Sequence, residues 1–171
     1  MIWRNHRLFT ASAVFCLTGD PIGAVVASSA STFPDVIEGV DYSRQTYYKD
    51  HRKTSHWFVP YAVAMMAAWA FSGAQMPMTI LSNLRKGYIP FAGPGLVMAA
   101  ASLAFCAALG AFLHIAEDAI CGRVPLWNPK KKTFGIKLFT VRSPMEDVFV
   151  FSCSIAMILL RLFLIGANWE I

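Results

Sequence analysis

Charged side chains are scarce in this sequence. Of its 171 residues only 15% are Asp, Glu, Lys or Arg, whereas 56% are hydrophobic, and the mean hydropathy is +0.49. Soluble domains carry roughly 25% charged residues. This shortage excludes an ordinary soluble domain and predicts a protein of the lipid bilayer.

Paired cysteines, linkers and internal repeats are also missing. The four cysteines stand singly, with no Cys-x-x-Cys pair, so neither a disulfide framework nor a thiolate zinc site is indicated. We therefore expect one domain, residues 1–171. The net charge of +5 is not arranged on an aromatic-interleaved basic face, so we expect no nucleic-acid partner and attribute the charge to anionic lipid headgroups.

Three apolar segments are long enough to cross a hydrocarbon core, which needs about 20 residues. They run from Trp57 to Leu81, from Gly95 to Ile115 and from Val148 to Ala167. The second contains a run of small residues that lets neighbouring helices approach closely. The sequence thus predicts an all-α integral membrane protein, a small bundle with three spanning helices.

A fourth apolar stretch, Leu8 to Thr32, is interrupted by Gly19-Asp20-Pro21, a turn signal and a charge that are both costly in lipid. We expect two short helices, Leu8 to Thr18 and Pro21 to Ser31, with Asp20 capping the second. Each would be only about 16 Å long, too short to cross, so they predict an N-terminal re-entrant hairpin. The alternative is a fourth spanning helix. Because no clear small-x-small cleavage site follows, we expect the stretch to be retained rather than removed as a signal peptide.

The basic residues indicate the orientation. With a hairpin, twelve of the 15 Lys and Arg residues fall on one face and two, Arg85 and Lys86, on the other, while Arg161 lies within the last segment. The positive-inside rule makes the crowded face cytoplasmic and the C-terminus external. A straight first span weakens the contrast to ten against four without reversing it.

All four histidines lie in polar clusters at the ends of apolar segments, and two aspartates accompany them. In the predicted topology these six candidate metal ligands share the cytoplasmic face: His6, Asp35, His51, His56, His114 and Asp118. Histidine nitrogens and carboxylates in these proportions are typical of hydrolytic zinc sites. We therefore expect zinc, or another divalent transition metal, in unknown number.

Spacing supports some of these residues more than others. His114 and Asp118 are four residues apart, so a helix would place them on one face, although such a pair alone is more often a hydrogen-bonded helix end. His51 and His56 are five apart, which a regular helix splays by over a right angle. Either one of them reaches back from a loop, or only one is a ligand.

Catalytic candidates flank these positions. Arg52 adjoins His51 and could hold a phosphate through two hydrogen bonds, as could Arg142 and Ser143, although all three positions also suit ordinary positive-inside loops. Nearby carboxylates could serve as partners of the ligands or as an acid or base, or could be solvated charges: Glu38, Asp41 and Glu117.

An ordered set of motifs resembles a known family. The motifs are Asn5-His6-Arg7-Leu8-Phe9, Phe33-Pro34-Asp35, His51-Arg52-x-x-x-His56, His114-x-x-x-Asp118, Gly122-Arg123-Val124-Pro125-Leu126-Trp127-Asn128-Pro129 and Arg142-Ser143-Pro144-Met145-Glu146. In this order they resemble the LexA-regulated, inner-membrane metal-dependent hydrolases, a family thought to be related to zinc-dependent phospholipase C and the P1-type nucleases. The resemblance implies a bacterial inner-membrane location. Where members often carry a second acidic residue this chain has Ile37, with Glu38 and Asp41 as substitutes.

Two functions from different classes follow. The first is a metal-dependent hydrolase acting on phosphate esters, a lipid headgroup or a lipid-linked phosphate, with Arg52 and Glu38 as catalytic residues; carboxylic ester or amide hydrolysis uses similar ligands. The second is a non-catalytic subunit of a larger membrane complex, in which the polar cluster is structural. A transporter ranks third, because no inverted repeat is present.

Overall fold

A computed structural model describes residues 1–38, 52–71 and 94–167, and these ranges are mostly helical. They contain no β-strand beyond an isolated antiparallel bridge between Val124 and Phe134. The α-helices are α1 (Trp3–Thr18), α2 (Pro21–Ala30), α3 (Phe33–Glu38), α4 (Phe58–Phe71), α5 (Pro94–Cys121) and α6 (Pro144–Ala167), and a 3-10 turn covers Thr54–His56. The prediction of an all-α chain is confirmed for the described residues.

Helices α1 and α2 form a hairpin at the predicted turn. Gly19 ends α1 in the left-handed conformation, with φ of 67°, and its N–H donates to Phe15. The Asp20 carboxylate then accepts from the Ile22 N–H at 2.8 Å, and Pro21 takes the first position of α2. The two helices return alongside each other, since the Ser28 hydroxyl donates to the Arg7 carbonyl at 2.9 Å. Both outer ends of the hairpin therefore lie on the same side.

Two helices in the described ranges are long and apolar enough to cross a bilayer. They cover Leu96–Cys121, with mean hydropathy 2.3, and Pro144–Ile165, with mean hydropathy 2.5. Only 22% and 11% of their apolar windows are buried, so most of their apolar surface is not used inside the protein. Helix α4 is apolar but has only 14 residues, and residues 72–81 of the predicted first span lie outside the described residues.

The helix boundaries differ from the sequence expectations at three places. Helix α1 begins at Trp3 rather than Leu8, α5 continues to Cys121 rather than ending at Ile115, and α6 begins at Pro144 rather than Val148. Each extension adds polar residues that a search for apolar runs leaves out. His6 and Asp118 consequently lie within regular helix.

Two glycines lie at contacts between helices. A Cβ on Gly110 of α5 would lie 2.0 Å from the Ala27 carbonyl oxygen of α2, so only glycine permits this crossing. A Cβ on Gly19 would lie 1.9 Å from the Arg161 guanidinium of α6. Because the start of α1 contacts the start of α6 as well, through Asn5 and Glu146, these two helices run side by side in the same direction.

One end of the bundle is polar. The N-termini of α1 and α6, the C-terminus of α5, helix α3 and the 3-10 turn meet there, and we call it the polar end. Fully or nearly fully buried polar side chains concentrate in it: Asn5, His6, Thr10, His56, His114, Glu117, Asp118 and Glu146.

Candidate metal centre

Five of the six predicted ligands converge at the polar end. They come from α1, α3, the 3-10 turn and α5, and they form two groups whose ligand atoms lie within 4.8 Å of one another. One group is His6, His114 and Asp118; the other is Asp35, His56 and His114. Because His114 belongs to both groups, they describe one centre. His51 lies outside the described residues.

Distances between the ligand atoms match those around a metal ion. The Nε2 atoms of His56 and His114 are 3.1 Å apart, and Asp35 Oδ1 lies 3.2 Å from the first and 3.5 Å from the second. Ligands at about 2.0–2.1 Å from zinc in tetrahedral geometry stand roughly 3.4 Å from each other. The centre therefore has the size that a bound transition metal requires.

The His6 ring is held from behind by a carboxylate. Its Nδ1 lies 2.5 Å from Glu117 Oε2, and the other Glu117 oxygen accepts a hydrogen bond from the Thr10 hydroxyl at 2.8 Å. A ligating histidine almost always donates its second ring N–H to such a partner, which fixes the ring and leaves the other nitrogen for the metal. His6 Nε2 faces Asp118 Oδ1 at 3.4 Å.

His56 has the same arrangement. Its Nδ1 lies 2.9 Å from the Ser55 hydroxyl and 3.5 Å from Glu38 Oε1, while its Nε2 faces the centre, 3.3 Å from Asp118 Oδ2. Glu38 Oε1 also accepts from the Ser55 hydroxyl and the Arg52 N–H, both at 2.8 Å. Glu38 therefore supports the His56 ring and fixes the short segment that carries it.

Two ligand atoms are buried without hydrogen bonds in the described part of the chain. Asp35 uses Oδ2 to accept from the Trp3 indole N–H at 2.7 Å, whereas its Oδ1 faces the Nε2 atoms of His56 and His114 without hydrogen-bond geometry. His6 Nε2 is likewise buried without a hydrogen bond to the described residues. A buried polar atom without a hydrogen bond leaves the desolvation of its group uncompensated, so two that face one centre fit a ligand at that place. The residues present therefore fit a metal.

Asp118 also meets cations of the protein. Arg52 places Nη2 at 2.7 Å from Oδ1 and Nε at 2.7 Å from Oδ2, a two-point pairing of guanidinium and carboxylate. The Met1 amino group lies 2.6 Å from Oδ1. The guanidinium proposed to meet phosphate is thus already paired with Asp118, and its Nη1 lies against Gly122, where a Cβ would come within 2.0 Å.

The neighbouring groups hold Asp35 and His56, which lie outside the long helices, in charged form. Burial by itself raises the pKa of Asp35, but the adjacent His114 and His56 imidazoles outweigh it and hold that pKa well below its usual range. Burial lowers the pKa of His56, and bonds to Asp118, Asp35 and Glu38 more than offset it, raising the pKa to about 10. The centre thus attracts positive charge, and His56 must lose its proton before a metal binds.

The remaining candidates from the sequence have other surroundings. Ser143 caps α6, accepting from the Glu146 N–H at 3.3 Å, and Arg142 is exposed, with its backbone N–H donating to Glu146 at 2.7 Å. Neither hydrogen-bonds to the centre within the described ranges. Asp41 lies outside those ranges, and Glu117 lies directly behind His6.

Sequence reasoning missed Trp3, Thr10 and the Met1 amino group. With α1 starting at Trp3, the positions of Trp3, His6 and Thr10 follow the i, i+3, i+7 spacing of one helical face. That spacing is visible in the sequence once the helix is allowed to begin before its first apolar run. No comparable pattern in the sequence predicts that the Met1 amino group contacts Asp118.

Comparisons with known proteins add no relative: no family model, no curated protein and no solved structure matches this chain. The geometry of the polar end, rather than descent, carries the functional argument.

Proposed function

We propose that this chain is a metal-dependent hydrolase of the bacterial inner membrane that acts on phosphate esters at the cytoplasmic face. The single observation that carries the proposal is the convergence of imidazole Nε2 atoms and aspartate oxygens, with the rear nitrogens of His6 and His56 held by carboxylates or a hydroxyl. Helices long enough to span, and the basic residues at one end, support the membrane location.

A divalent transition metal, when bound, supplies Lewis acidity that makes water nucleophilic near neutral pH and stabilises charge on phosphoryl oxygens. His6, His56, His114, Asp35 and Asp118 would hold it. Glu38 is the best-placed acid or base, because its side chain remains 19% exposed next to His56, whereas the Asp118 side chain is only 1% exposed.

Arg52 has two roles in this proposal. Its pairing with both oxygens of Asp118 orients that carboxylate, and its guanidinium, which remains 12% exposed, would meet phosphate oxygens beside Asp118. Both roles require the planar, two-pronged guanidinium rather than a point charge.

Hydrolysis by metal-replete protein in anionic-lipid micelles tests the proposal. Phospholipids are read by release of the headgroup or its phosphate ester, and lipid-linked phosphates by release of phosphate. Arg52→Ala should retain metal and lose about 100-fold to 1,000-fold in rate, the usual cost of removing one transition-state donor. Arg4→Ala is the matched control, because Arg4 is an exposed arginine paired with Asp147 at the same end. The mechanism is wrong if no substrate is hydrolysed, or if the Arg52 variant matches the Arg4 variant.

The second candidate is a non-catalytic subunit of a larger membrane complex, with the polar end acting as a structural clasp. The pairing of Asp118 with Arg52 favours it, since this cation could neutralise the carboxylate unaided. A metal with every coordination position filled by protein would support this reading, whereas an open position would support the enzyme.

A further inference from the structure

An apolar groove starts beside the candidate metal centre and continues between α4 and α5. Its first part, a cavity of about 750 Å³, lies between the apolar face of α3, with Phe33 and Ile37, and the start of α4, with Pro60 and Ala64. Its second part, about 510 Å³, lies between α4 and α5 and ends near Phe71. Both parts are open to the surface, and they meet at Ala64, which lines each of them.

The mouth of this groove is polar and adjoins the centre. Glu38, Lys53 and Ser55 line it. The Ser55 hydroxyl lies within hydrogen-bond distance of both Glu38 and His56, so the groove opens one residue away from the candidate ligands. The side chains of Asp35 and Glu38 are 14% and 19% exposed, whereas His56 and His114 are fully buried, so this side is the accessible edge of the centre.

Small side chains create the width of the groove. Its walls between α4 and α5 are built largely from alanine, and three larger residues, Phe71, Leu96 and Val97, complete the lining: the alanines are Ala64, Ala68, Ala100, Ala101 and Ala104. From Pro60 to Phe71 the α4 wall is roughly 17 Å long. These dimensions suit one extended hydrocarbon chain.

We propose that the groove binds one hydrocarbon chain of an amphiphilic phosphate ester, with the anionic head at Lys53 and the candidate metal centre. The proposal rests on the proposed function and names its substrate class. Three features support it. A cation lies at the mouth, and apolar walls lie below it. The groove adjoins the candidate metal centre on one side and α5, a helix long enough to span a bilayer, on the other. Because lipid tails are as apolar as the groove, chain binding adds little affinity from a bilayer and mainly positions the head.

Photolabelling of the full chain tests this assignment. The probe is a long-chain alkyl phosphate monoester with a diazirine at the chain terminus, irradiated with purified protein in detergent micelles and mapped by peptide mass spectrometry. We expect label on the groove faces of α4 and α5, displaced by an unlabelled long-chain monoester and not by a short-chain one. Ala64→Trp should abolish this label, whereas Ala67→Trp, an exposed position of the same helix outside the groove, should preserve it.

Several results would overturn the proposal. Label spread equally over α6, or label unaffected by Ala64→Trp, would assign the face to bulk lipid. Disulfide dimers of Ala64→Cys that exclude the probe would assign it to a second copy. If Ala64→Trp does not fold, competition on the unmodified chain decides. A groove loses its label to the long-chain monoester and not to the short-chain one, whereas an unspecific apolar surface does not distinguish a bound chain from bulk detergent.

The labelling reads binding without turnover and so separates this inference from the hydrolase itself. Specific label without phosphate release retains the groove and rejects the enzyme. Equal turnover of short-chain and long-chain monoesters, unchanged in Ala64→Trp, retains the enzyme and rejects the groove.

Discussion

Helices α5 and α6 have similar mean hydropathy, 2.3 and 2.5, and both bring buried carboxylates to the polar end, of which Asp118 on α5 and Glu146 on α6 differ most in their surroundings. Glu146 lies in the first turn of α6 and accepts N–H donors: the Ile2 amide at 2.7 Å, the Asn5 side chain at 2.9 Å and the Arg142 amide at 2.7 Å. Asp118 lies in the last turn of α5 and faces histidine nitrogens, Arg52 and the Met1 amino group.

The helix macrodipole explains the difference. The N-terminus of a helix carries partial positive charge and stabilises a carboxylate such as Glu146, whereas the C-terminus carries partial negative charge and destabilises Asp118. Asp118 therefore requires added positive charge, and Glu146 does not. Burial of a carboxylate is not by itself a sign of a metal site; its placement on the helix and the atoms opposite it decide.

The largest expected effect is the loss of metal from Asp118→Asn. The substitution keeps the shape of the side chain and removes the charge that faces both groups of the centre, so metal content should fall to background in elemental analysis of purified protein. We expect His114→Ala combined with Asp118→Ala to behave likewise while the bundle remains inserted. Metal retained at the level of the unmodified chain would remove Asp118 from the ligands and erase the contrast with Glu146.

A smaller effect is expected behind the ligands. Glu117→Gln weakens the support of the His6 ring without removing a ligand, and loss of such partners lowers metal affinity about 10-fold to 100-fold. Competition with a chelator of known affinity measures the change. An affinity equal to that of the unmodified chain would mean that the Glu117 contact with His6 serves packing only.

These contrasts show which parts of the site sequence reasoning can reach. The hairpin turn was predictable because Gly19, Asp20 and Pro21 act locally, and the shared face of His114 and Asp118 follows from helical spacing alone. The pairing of Arg52 with Asp118 joins residues that are far apart in the chain, and no local pattern encodes it. Trp3 and Thr10 were missed for a different reason, since α1 starts before its apolar run.

The smallest effect on the centre is expected at the start of α6. Glu146→Gln weakens hydrogen bonds to a buried charged group, which lowers stability by about 1–3 kcal/mol, yet it should leave metal content unchanged. Thermal unfolding in detergent, read together with elemental analysis, checks both parts. Arg4→Ala, at an exposed ion pair of the same region, should change neither quantity. Metal loss in Glu146→Gln would show that the two carboxylates belong to one centre.

The most direct measurement of the central claim is the metal content of the unmodified chain, purified in detergent without added metal, followed by X-ray absorption spectroscopy at the edge of the metal found. We predict zinc or another divalent transition metal in stoichiometric amount, bound by imidazole nitrogen and carboxylate oxygen at about 2.0–2.2 Å, with no sulfur in its first shell. Absence of metal after reconstitution with zinc, or a first shell containing cysteine sulfur, would contradict the centre described here.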